Sequence, residues 1–170
     1  MTLAELNAMG RAAFVAELRG VFEHSPWVAE QAFAAGPFAT VDALHRAMVD
    51  AVRAASRDDQ LALIRAHPEL AGRAMVRREL TADSTSEQSG AGLDRCSAEE
   101  LARLAGLNAR YNAKFGFPFI LAVKGYDRNG VIAEFARRVE RDYATEFDEA
   151  LAQSARIARS RLCVMLPVRA

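Results

Sequence analysis

Apolar side chains recur along most of this chain at steps of three and four residues, the spacing that places them on one face of an α-helix. Leu44, Met48 and Val52 form such a face. The positions between them are rich in Ala, Leu, Glu and Arg, which favour helices. Alternation of apolar and polar residues with a period of two, as in a half-buried strand, is scarce. The pattern predicts an all-α fold, a bundle of several helices.

Capping residues indicate where several of these helices begin. Three pairs have the spacing of a capping box: Thr2 with Glu5, Ser84 with Glu87, and Ser97 with Glu100. Ser25-Pro26 matches an N-cap followed by the first helical position. Thr40 is the candidate N-cap of the helix that carries Leu44, and Gly116 is the candidate end of the helix that opens at Ser97.

Other helix limits follow from the apolar spacing and from proline. A helix is predicted over residues 11–23, and another begins at residues 58–59. The second must end before His67, because the residue before a proline is pushed out of the helical region. Pro68 can itself open the next helix, which we expect to run to about Leu80.

Three stretches are less regular. Residues 131–166 contain neither Gly nor Pro, and their spacing fits one long helix or two helices broken near Asp142. The sequence of residues 127–130 predicts a turn. Residues 117–123 resemble a strand, but the stretch is isolated and contains Pro118. The overlapping stretch of residues 115–120 is interpreted either as ordinary core or as an irregular buried segment whose backbone could line a pocket.

The composition is that of a single globular domain, here residues 1–170. Lys and Arg together number 22, as do Asp and Glu, so the basic excess typical of nucleic-acid binding is absent. No stretch has the length and apolarity of a membrane span or a signal peptide. Cys96 and Cys163 are too few for a disulfide framework and are predicted to be free thiols. We expect a cytoplasmic protein that binds neither nucleic acid nor membrane.

Three polar features could carry chemistry, and no metal-binding motif accompanies them. His67 precedes a proline and could transfer protons near neutral pH, or it could simply cap a helix. Residues 84–89 concentrate hydroxyl, carboxylate and amide groups, which could bind a polar ligand or only start a helix. Arg161 lies within an apolar pattern, where it either faces solvent or faces inward and needs an anionic partner.

Together these pieces resemble one family. The motifs are HPEL at residues 67–70, LTADSTSEQSGAGLD at 80–94, YNAKFGFPFILAVKG at 111–125 and RIARSRL at 156–162, with Phe14 and the 22–28 segment before them. This set is similar to 2-oxo-4-hydroxy-4-carboxy-5-ureidoimidazoline (OHCU) decarboxylases, over nearly the whole chain and in the same order. One departure is Arg141-Asp142, where many members of the family have Asn.

The resemblance implies a function and a set of site residues. The family removes CO₂ from OHCU in urate catabolism and yields (S)-allantoin, without a cofactor or metal and as a homodimer with an all-α fold. Carried over by position, His67 and Glu87 would be the catalytic groups. The sequence does not indicate which of the two protonates carbon. The substrate site would be formed by Pro68, Ser84 and Gln88, by the backbone of Phe119, Ile120, Leu121, Ala122 and Val123, and by Arg161.

Two other classes of function remain open at this point. A related ureide lyase or hydrolase on the same scaffold would give a product of different mass. A non-catalytic helical interaction module would tolerate replacement of His67 and Glu87.

Overall fold

The fold was obtained as a computed structural model, which describes residues 1–72 and 80–167. These residues form nine α-helices and two short 3₁₀ helices (Phe33–Ala35 and Leu93–Arg95), and they contain no β-strand. The α-helices are α1 (Leu3–Asn7), α2 (Arg11–Leu18), α3 (Pro26–Ala32), α4 (Val41–Ala54), α5 (Arg57–Arg65), α6 (Ala82–Gly90), α7 (Ala98–Phe115), α8 (Arg128–Arg138) and α9 (Tyr143–Met165). The prediction of an all-α fold is confirmed.

The contacts divide the chain into two compact units. The first comprises Met1–Ala66 and Ser154–Ala170, and the second comprises His67–Gln153. Helix α9 therefore begins in the second unit and ends in the first. The described part of the chain contains no helix that is long and apolar enough to cross a membrane.

In the first unit, helix α3 packs against both α2 and α4. Phe14 of α2 lies edge-on to Phe33 at 5.2 Å and is stacked with Phe38 at 6.2 Å between ring centroids. Helix α2 ends at Leu18, earlier than predicted, although Val21 and Phe22 are buried as the apolar spacing indicated. A connection can bury apolar side chains as well as a helix can, so the spacing alone did not locate this helix end.

Most of the predicted helix limits in this unit are confirmed. Thr2 and Glu5 form a complete capping box on α1. The Thr40 hydroxyl accepts a hydrogen bond from the backbone N–H of Ala43, and Leu44 is buried below it. Helix α5 ends at Arg65, before the histidine that precedes the proline.

In the second unit, α7 supplies the longest frame. A capping box at Ser97 opens it, and Gly116 closes it in the left-handed conformation with φ 71°, as predicted. Residues 117–123 then run without regular secondary structure. Five of these residues point apolar side chains into the interior and are buried: Phe117, Phe119, Ile120, Leu121 and Val123. Of the stretch predicted at residues 115–120, Phe115 ends α7, while residues 117–120 are irregular and buried as predicted, and a role in lining a pocket stays a prediction.

Two predicted helix starts, at Ser84 and at Pro68, are wrong. Thr81, not Ser84, is the N-cap of α6, because the Thr81 hydroxyl accepts the backbone N–H of Ser84 at 3.2 Å. The predicted capping box of Ser84 with Glu87 is therefore displaced by a hydroxyl one turn earlier. Residues 68–72 contain a turn and no helix, since Ala71 adopts a left-handed φ of 49° that a helix cannot continue. The remainder of the helix predicted from Pro68 falls mainly on residues 73–79, outside the described residues.

An aspartate precedes each of the helices α8 and α9 and accepts a backbone N–H in the first turn of that helix. The turn predicted at residues 127–130 is wrong. Asp127 instead caps α8, where its carboxylate accepts a hydrogen bond from the backbone N–H of Gly130 at 2.7 Å. Asp favours N-caps and turns alike, so its presence did not distinguish them. Asp142 accepts the backbone N–H of Thr145 at 2.9 Å, and residues 131–166 form two helices that separate beside it.

Candidate active site

His67 is the first residue of the second unit and is only 8% exposed. It follows the end of α5 and precedes the turn at residues 68–72, in which the backbone N–H of Gly72 donates to the carbonyl of Glu69 at 3.3 Å. Pro68 is half-buried beside it. The backbone of His67 therefore leads directly into this turn.

Gln88 of α6 holds the turn from one side. Its Oε1 accepts the backbone N–H of Ala71 at 2.9 Å, and its Nε2 donates to the carbonyl of Glu69 at 3.4 Å. The side chain is buried. The residue predicted to line the substrate site thus has both ends of its amide engaged with the turn that follows the predicted catalytic histidine.

Two asparagines of α7 hold the same turn. Nδ2 of Asn108 donates to the carbonyl of Leu70 at 3.0 Å, and Nδ2 of Asn112 donates to Oε1 of Glu69 at 2.5 Å. With Gln88 they form what we call the amide clamp: Gln88, Asn108 and Asn112. Three neutral side chains on two helices therefore fix consecutive residues of one short turn.

Helix α6 presents three of the predicted site residues on one face. Ser84 and Gln88 are buried and stand four residues apart, and Glu87 is half-buried between them. The intervening residues 85–86 are exposed. Because Gln88 contacts the turn after His67, the structure brings this face of α6 to the residues that follow the histidine.

The segment at residues 117–123 is held by a different set of side chains. The carbonyl of Ile120 accepts NH1 of Arg138 at 2.8 Å, and the backbone N–H of Ala122 donates to Oε1 of Gln153 at 2.8 Å. The guanidinium of Arg138 lies 4.5 Å from the ring centroid of Phe119. Two of the backbone groups predicted to face substrate are thus engaged by side chains of the protein.

The Arg138 side chain is itself part of a buried ion pair. Nε and NH2 of Arg138 donate to Oε1 of Glu146 at 2.8 and 2.5 Å, and both side chains are 0% exposed. The hydroxyl of Tyr111 donates to the same oxygen at 2.6 Å. Burial, together with this hydrogen bond to a carboxylate, raises the pKa of Tyr111 far above its ordinary value, so the hydroxyl stays a donor.

Arg161 belongs to the first unit. It is buried there and faces an anionic partner, since NH2 lies 3.2 Å from Oε2 of Glu23 and NH1 donates to the carbonyl of Gly20 at 2.9 Å. The inward-facing alternative of the sequence analysis is therefore the one that the structure shows. The Glu23 partner was not predicted.

Comparison with known proteins decides the family. The OHCU decarboxylase profile matches residues 7–163. A protein of Haloferax volcanii named 2-oxo-4-hydroxy-4-carboxy-5-ureidoimidazoline decarboxylase is 42% identical over 162 residues, which is 95% of this chain and 94% of that protein. The chain belongs to the OHCU decarboxylase family.

Solved structures agree with this assignment to the OHCU decarboxylase family. The crystal structure of an (S)-allantoin synthase superposes with a TM-score of 0.77 at 31% identity, covering 98% of this chain and 54% of that chain. The crystal structure of an OHCU decarboxylase in the presence of (S)-allantoin superposes with a TM-score of 0.71 at 26% identity, covering 87% and 96%. The resemblance stated from the motifs is thereby confirmed at the level of family and fold.

Three further observations concern a pocket, possible metal ligands and the two cysteines. A pocket of about 380 Å³ in the second unit is lined by residues 90–92 and 126–128 and by Arg95, and it includes none of the predicted site residues. Across residues 1–72 and 80–167, no group of three or more His, Cys, Asp and Glu side chains could hold a metal ion. Cys96 and Cys163 are free, as predicted.

Asn108 and Arg138 were not predicted as site residues, although each leaves a signal in the sequence. Asn108 interrupts the stripe of Leu104, Tyr111 and Phe115 on α7, and it is buried like them. Arg138 does the same after Phe135 on α8. A polar residue at a core position of a helix must have a partner, and here the partners are the backbone carbonyls of Leu70 and Ile120.

Proposed function

We propose that this protein converts OHCU to (S)-allantoin by removing CO₂ during urate breakdown, with His67 as the residue that moves the proton. The observation that carries the proposal is the buried His67 at the start of a turn that the amide clamp fixes. Family membership supplies the substrate class. The clamp supplies what a proton-transfer residue needs, which is a fixed position relative to the reacting atoms.

The proposed substrate carries its own electron sink. When the bond between the ring carbon and its carboxylate breaks, the electron pair forms a carbon–carbon double bond, and the electrons of the adjacent C=N move onto nitrogen, which takes a proton. CO₂ leaves, and the hydroxyl that remains is an enol. A cofactor such as pyridoxal phosphate usually supplies this sink, whereas here the imine of the substrate does so.

The second stage sets the stereocentre. The enol hydroxyl gives up its proton and becomes a carbonyl, while the neighbouring carbon takes a proton on one face. The whole reaction consumes one proton and releases one CO₂. We assign this proton traffic to His67, whose imidazole can accept and return a proton near neutral pH. Glu87, on the same face of α6 as Gln88, would hold the hydroxyl or the ureido group.

The segment at residues 117–123 suits the remaining polar groups of the substrate. Its backbone offers N–H and C=O groups in a buried stretch without strand or helix, in which such groups are not consumed by regular pairing. Arg138 and Gln153 fix two of them, at Ile120 and Ala122. The backbone of Phe119, Ile120, Leu121, Ala122 and Val123 is proposed to bind the ureido and ring amides through the groups that remain. A preorganised backbone of this kind loses little entropy on binding.

Other parts of the proposal rest on the family resemblance. These are the roles of Pro68, Ser84 and Arg161 at the substrate, the function of the chain as one domain, the homodimer and the cytoplasmic location. The homodimer is tested by sedimentation equilibrium of the purified chain, which would give twice the mass of 18.6 kDa. A sedimenting mass equal to the monomer would contradict it.

The proposed activity is tested by supplying fresh substrate. Urate is oxidised and hydrolysed in place by the two preceding activities, and the product of the purified chain is followed by circular dichroism and mass spectrometry. Rapid formation of optically active (S)-allantoin with loss of CO₂ supports the proposal. A gain of water would identify a ureide hydrolase on this scaffold, and a racemic product at the buffer rate would leave only a non-catalytic role.

A further inference from the structure

We propose that Asn108 is a positioning residue for His67. Asn108 acts through its hydrogen bond to the carbonyl of Leu70, together with Gln88. The inference rests on the proposed function, since that function assigns His67 to proton transfer. Asn108 belongs to no motif on which the family resemblance was based. Its role follows from where its amide lies and from what the turn after His67 requires.

The amide of Asn108 has an unusual balance of contacts. The side chain is 5% exposed, and its Nδ2 donates to the carbonyl of Leu70. Its Oδ1 is buried and accepts no hydrogen bond within the described residues. An unsatisfied buried acceptor is costly, and a leucine at this position of the apolar stripe would avoid that cost. The gain that offsets the cost is the hold on Leu70.

The turn needs that hold. Ala71 has a left-handed φ of 49°, which is unfavourable for a residue with a Cβ and persists only where the surroundings enforce it. The enforcing contacts are the Gln88 bond to the Ala71 N–H and the Asn108 bond to the Leu70 carbonyl. They hold the two sides of one peptide group, the one that joins Leu70 to Ala71, from α6 and α7. If one is lost, the turn can relax toward ordinary backbone angles.

Relaxation of the turn would move His67, which lies three residues before Leu70 and is joined to it through Pro68. Proline transmits such a change, because its fixed φ leaves little freedom to absorb it. A displacement of ~1 Å at a catalytic group can lower turnover about 10²-fold. Substrate binding by other groups would be affected much less, so the loss should be in kcat and not in KM.

The test is Asn108→Leu, which keeps the branched shape of the side chain and removes the hydrogen bond. We expect kcat to fall roughly 10- to 100-fold while KM changes by less than about 2-fold. In a His67→Ala background, Asn108→Leu should change the residual rate by less than about 2-fold, because a residue that acts through His67 has nothing left to position. The matched control is Asn129→Leu, at an exposed position of α8, which should retain wild-type kcat.

A second measurement does not depend on turnover. The chain has three histidines, so the ring carbon–proton signals of His24, His45 and His67 can be assigned by single substitutions and followed by NMR. Asn108→Leu should shift or broaden the His67 signal and leave the other two in place. If Asn108→Leu does not fold, Asn108→Ala removes the same bond without added bulk and carries the same two measurements.

The outcomes separate this inference from the proposed function. An active wild type whose Asn108→Leu variant keeps full kcat, or loses the same factor with and without His67, overturns the positioning role. A wild type without decarboxylase activity overturns the proposed function instead. In that case a shift confined to the His67 signal would still support the structural link from Asn108 to His67, and an unchanged signal would refute it.

Discussion

The turn at residues 68–72 and the segment at residues 117–123 both lack regular secondary structure, and side chains hold them by different chemistry. Neutral amides alone hold the turn, each through one or two hydrogen bonds. The segment is held by one neutral amide, Gln153, at Ala122 and by a fully buried ion pair, Arg138 with Glu146, at the carbonyl of Ile120. Two parts of the proposed site are therefore anchored with different energetic consequences.

In the amide clamp, the restraint on the turn is divided among several separate hydrogen bonds. Each hydrogen bond contributes roughly 0.5–1.5 kcal/mol, and the loss of one leaves the others in place. None of the three amides titrates, and the two that contact the backbone, Gln88 and Asn108, should hold the turn independently of pH. Such an arrangement suits a position next to a histidine that must itself gain and lose a proton.

The buried ion pair concentrates the restraint. Arg138 and Glu146 have given up their hydration, and the pair is stable only while both charges and their hydrogen bonds are present. Arg138 contacts three groups of different kinds: the Glu146 carboxylate, the Ile120 carbonyl and the Phe119 ring. One substitution here should therefore disturb the segment more than any single change in the clamp.

The largest expected effect is that of Arg138→Met. It leaves the Glu146 carboxylate buried without its main partner, which should cost about 3–5 kcal/mol in the free energy of unfolding measured with urea. The matched control is Arg137→Met, at the adjacent and exposed position, where the ion pair with Glu134 is solvated and the loss should be far smaller. Equal losses in the two variants would contradict the concentrated restraint.

A double variant sharpens this result. Arg138→Met with Glu146→Gln removes both charges and keeps an acceptor for the Tyr111 hydroxyl, so most of the stability should return. Turnover should not recover with it, because the Ile120 carbonyl still lacks its donor. Recovery of stability and activity together would mean that Arg138 has no role in holding residues 117–123.

The intermediate effect is that of Asn112→Asp in the clamp. It places a second carboxylate where Nδ2 of Asn112 now donates to Glu69, and like charges this close raise the pKa of one of them. The variant should be less stable than wild type by ~1–3 kcal/mol near neutral pH, where a donor is lost and the charges repel. The difference should narrow as the pH falls through the raised folded pKa toward the unfolded carboxyl pKa of about 4, and should change little below it. A difference that is constant with pH would contradict a direct contact between the two side chains.

The smallest effect concerns the start of α9, the helix that carries Glu146. The hydroxyl and backbone N–H of Thr145 donate to the Asp142 carboxylate and hold its pKa below the ordinary value. A depressed folded pKa stabilises the protein above the unfolded pKa of about 3.9, and that stabilisation is lost as the pH falls through the folded pKa. Asp142→Asn should therefore show a smaller drop in Tm than wild type between about pH 5 and pH 2.5. Parallel curves would contradict the capping role.

Much of the fold could be predicted from the sequence, because its signals are local. The capping boxes at Thr2 and Ser97 and the end of α7 at Gly116 depend on residues within one turn of helix. The prediction for Ser84 was wrong for the same reason, since two hydroxyls compete for one helix start and the spacing does not rank Thr81 above Ser84. The turn at residues 68–72 depends on residues 17 to 43 positions away, which no local pattern records.

For the candidate site, the sequence indicated the proposed catalytic and substrate-binding residues but not the side chains that hold them. Motifs indicated His67, residues 84–88 and residues 119–123, and these all lie in the second unit. The side chains that hold them, Asn108 and Arg138, interrupt apolar stripes and leave a signal only at the level of the helix face. Their partners are backbone carbonyls in other parts of the chain, and a backbone carbonyl carries no residue identity that a sequence pattern could reveal.

The most direct test of the central claim, that a clamped His67 transfers the proton in decarboxylation, is the initial rate of (S)-allantoin formation by His67→Ala relative to wild type, measured by circular dichroism. The variant should lose ~10²–10⁴-fold in kcat, the range typical of a positioned proton-transfer group. Its unfolding midpoint should stay close to wild type, because the amide clamp contacts residues 69–71 and not the imidazole. A stable His67→Ala variant with near-normal kcat would contradict the account.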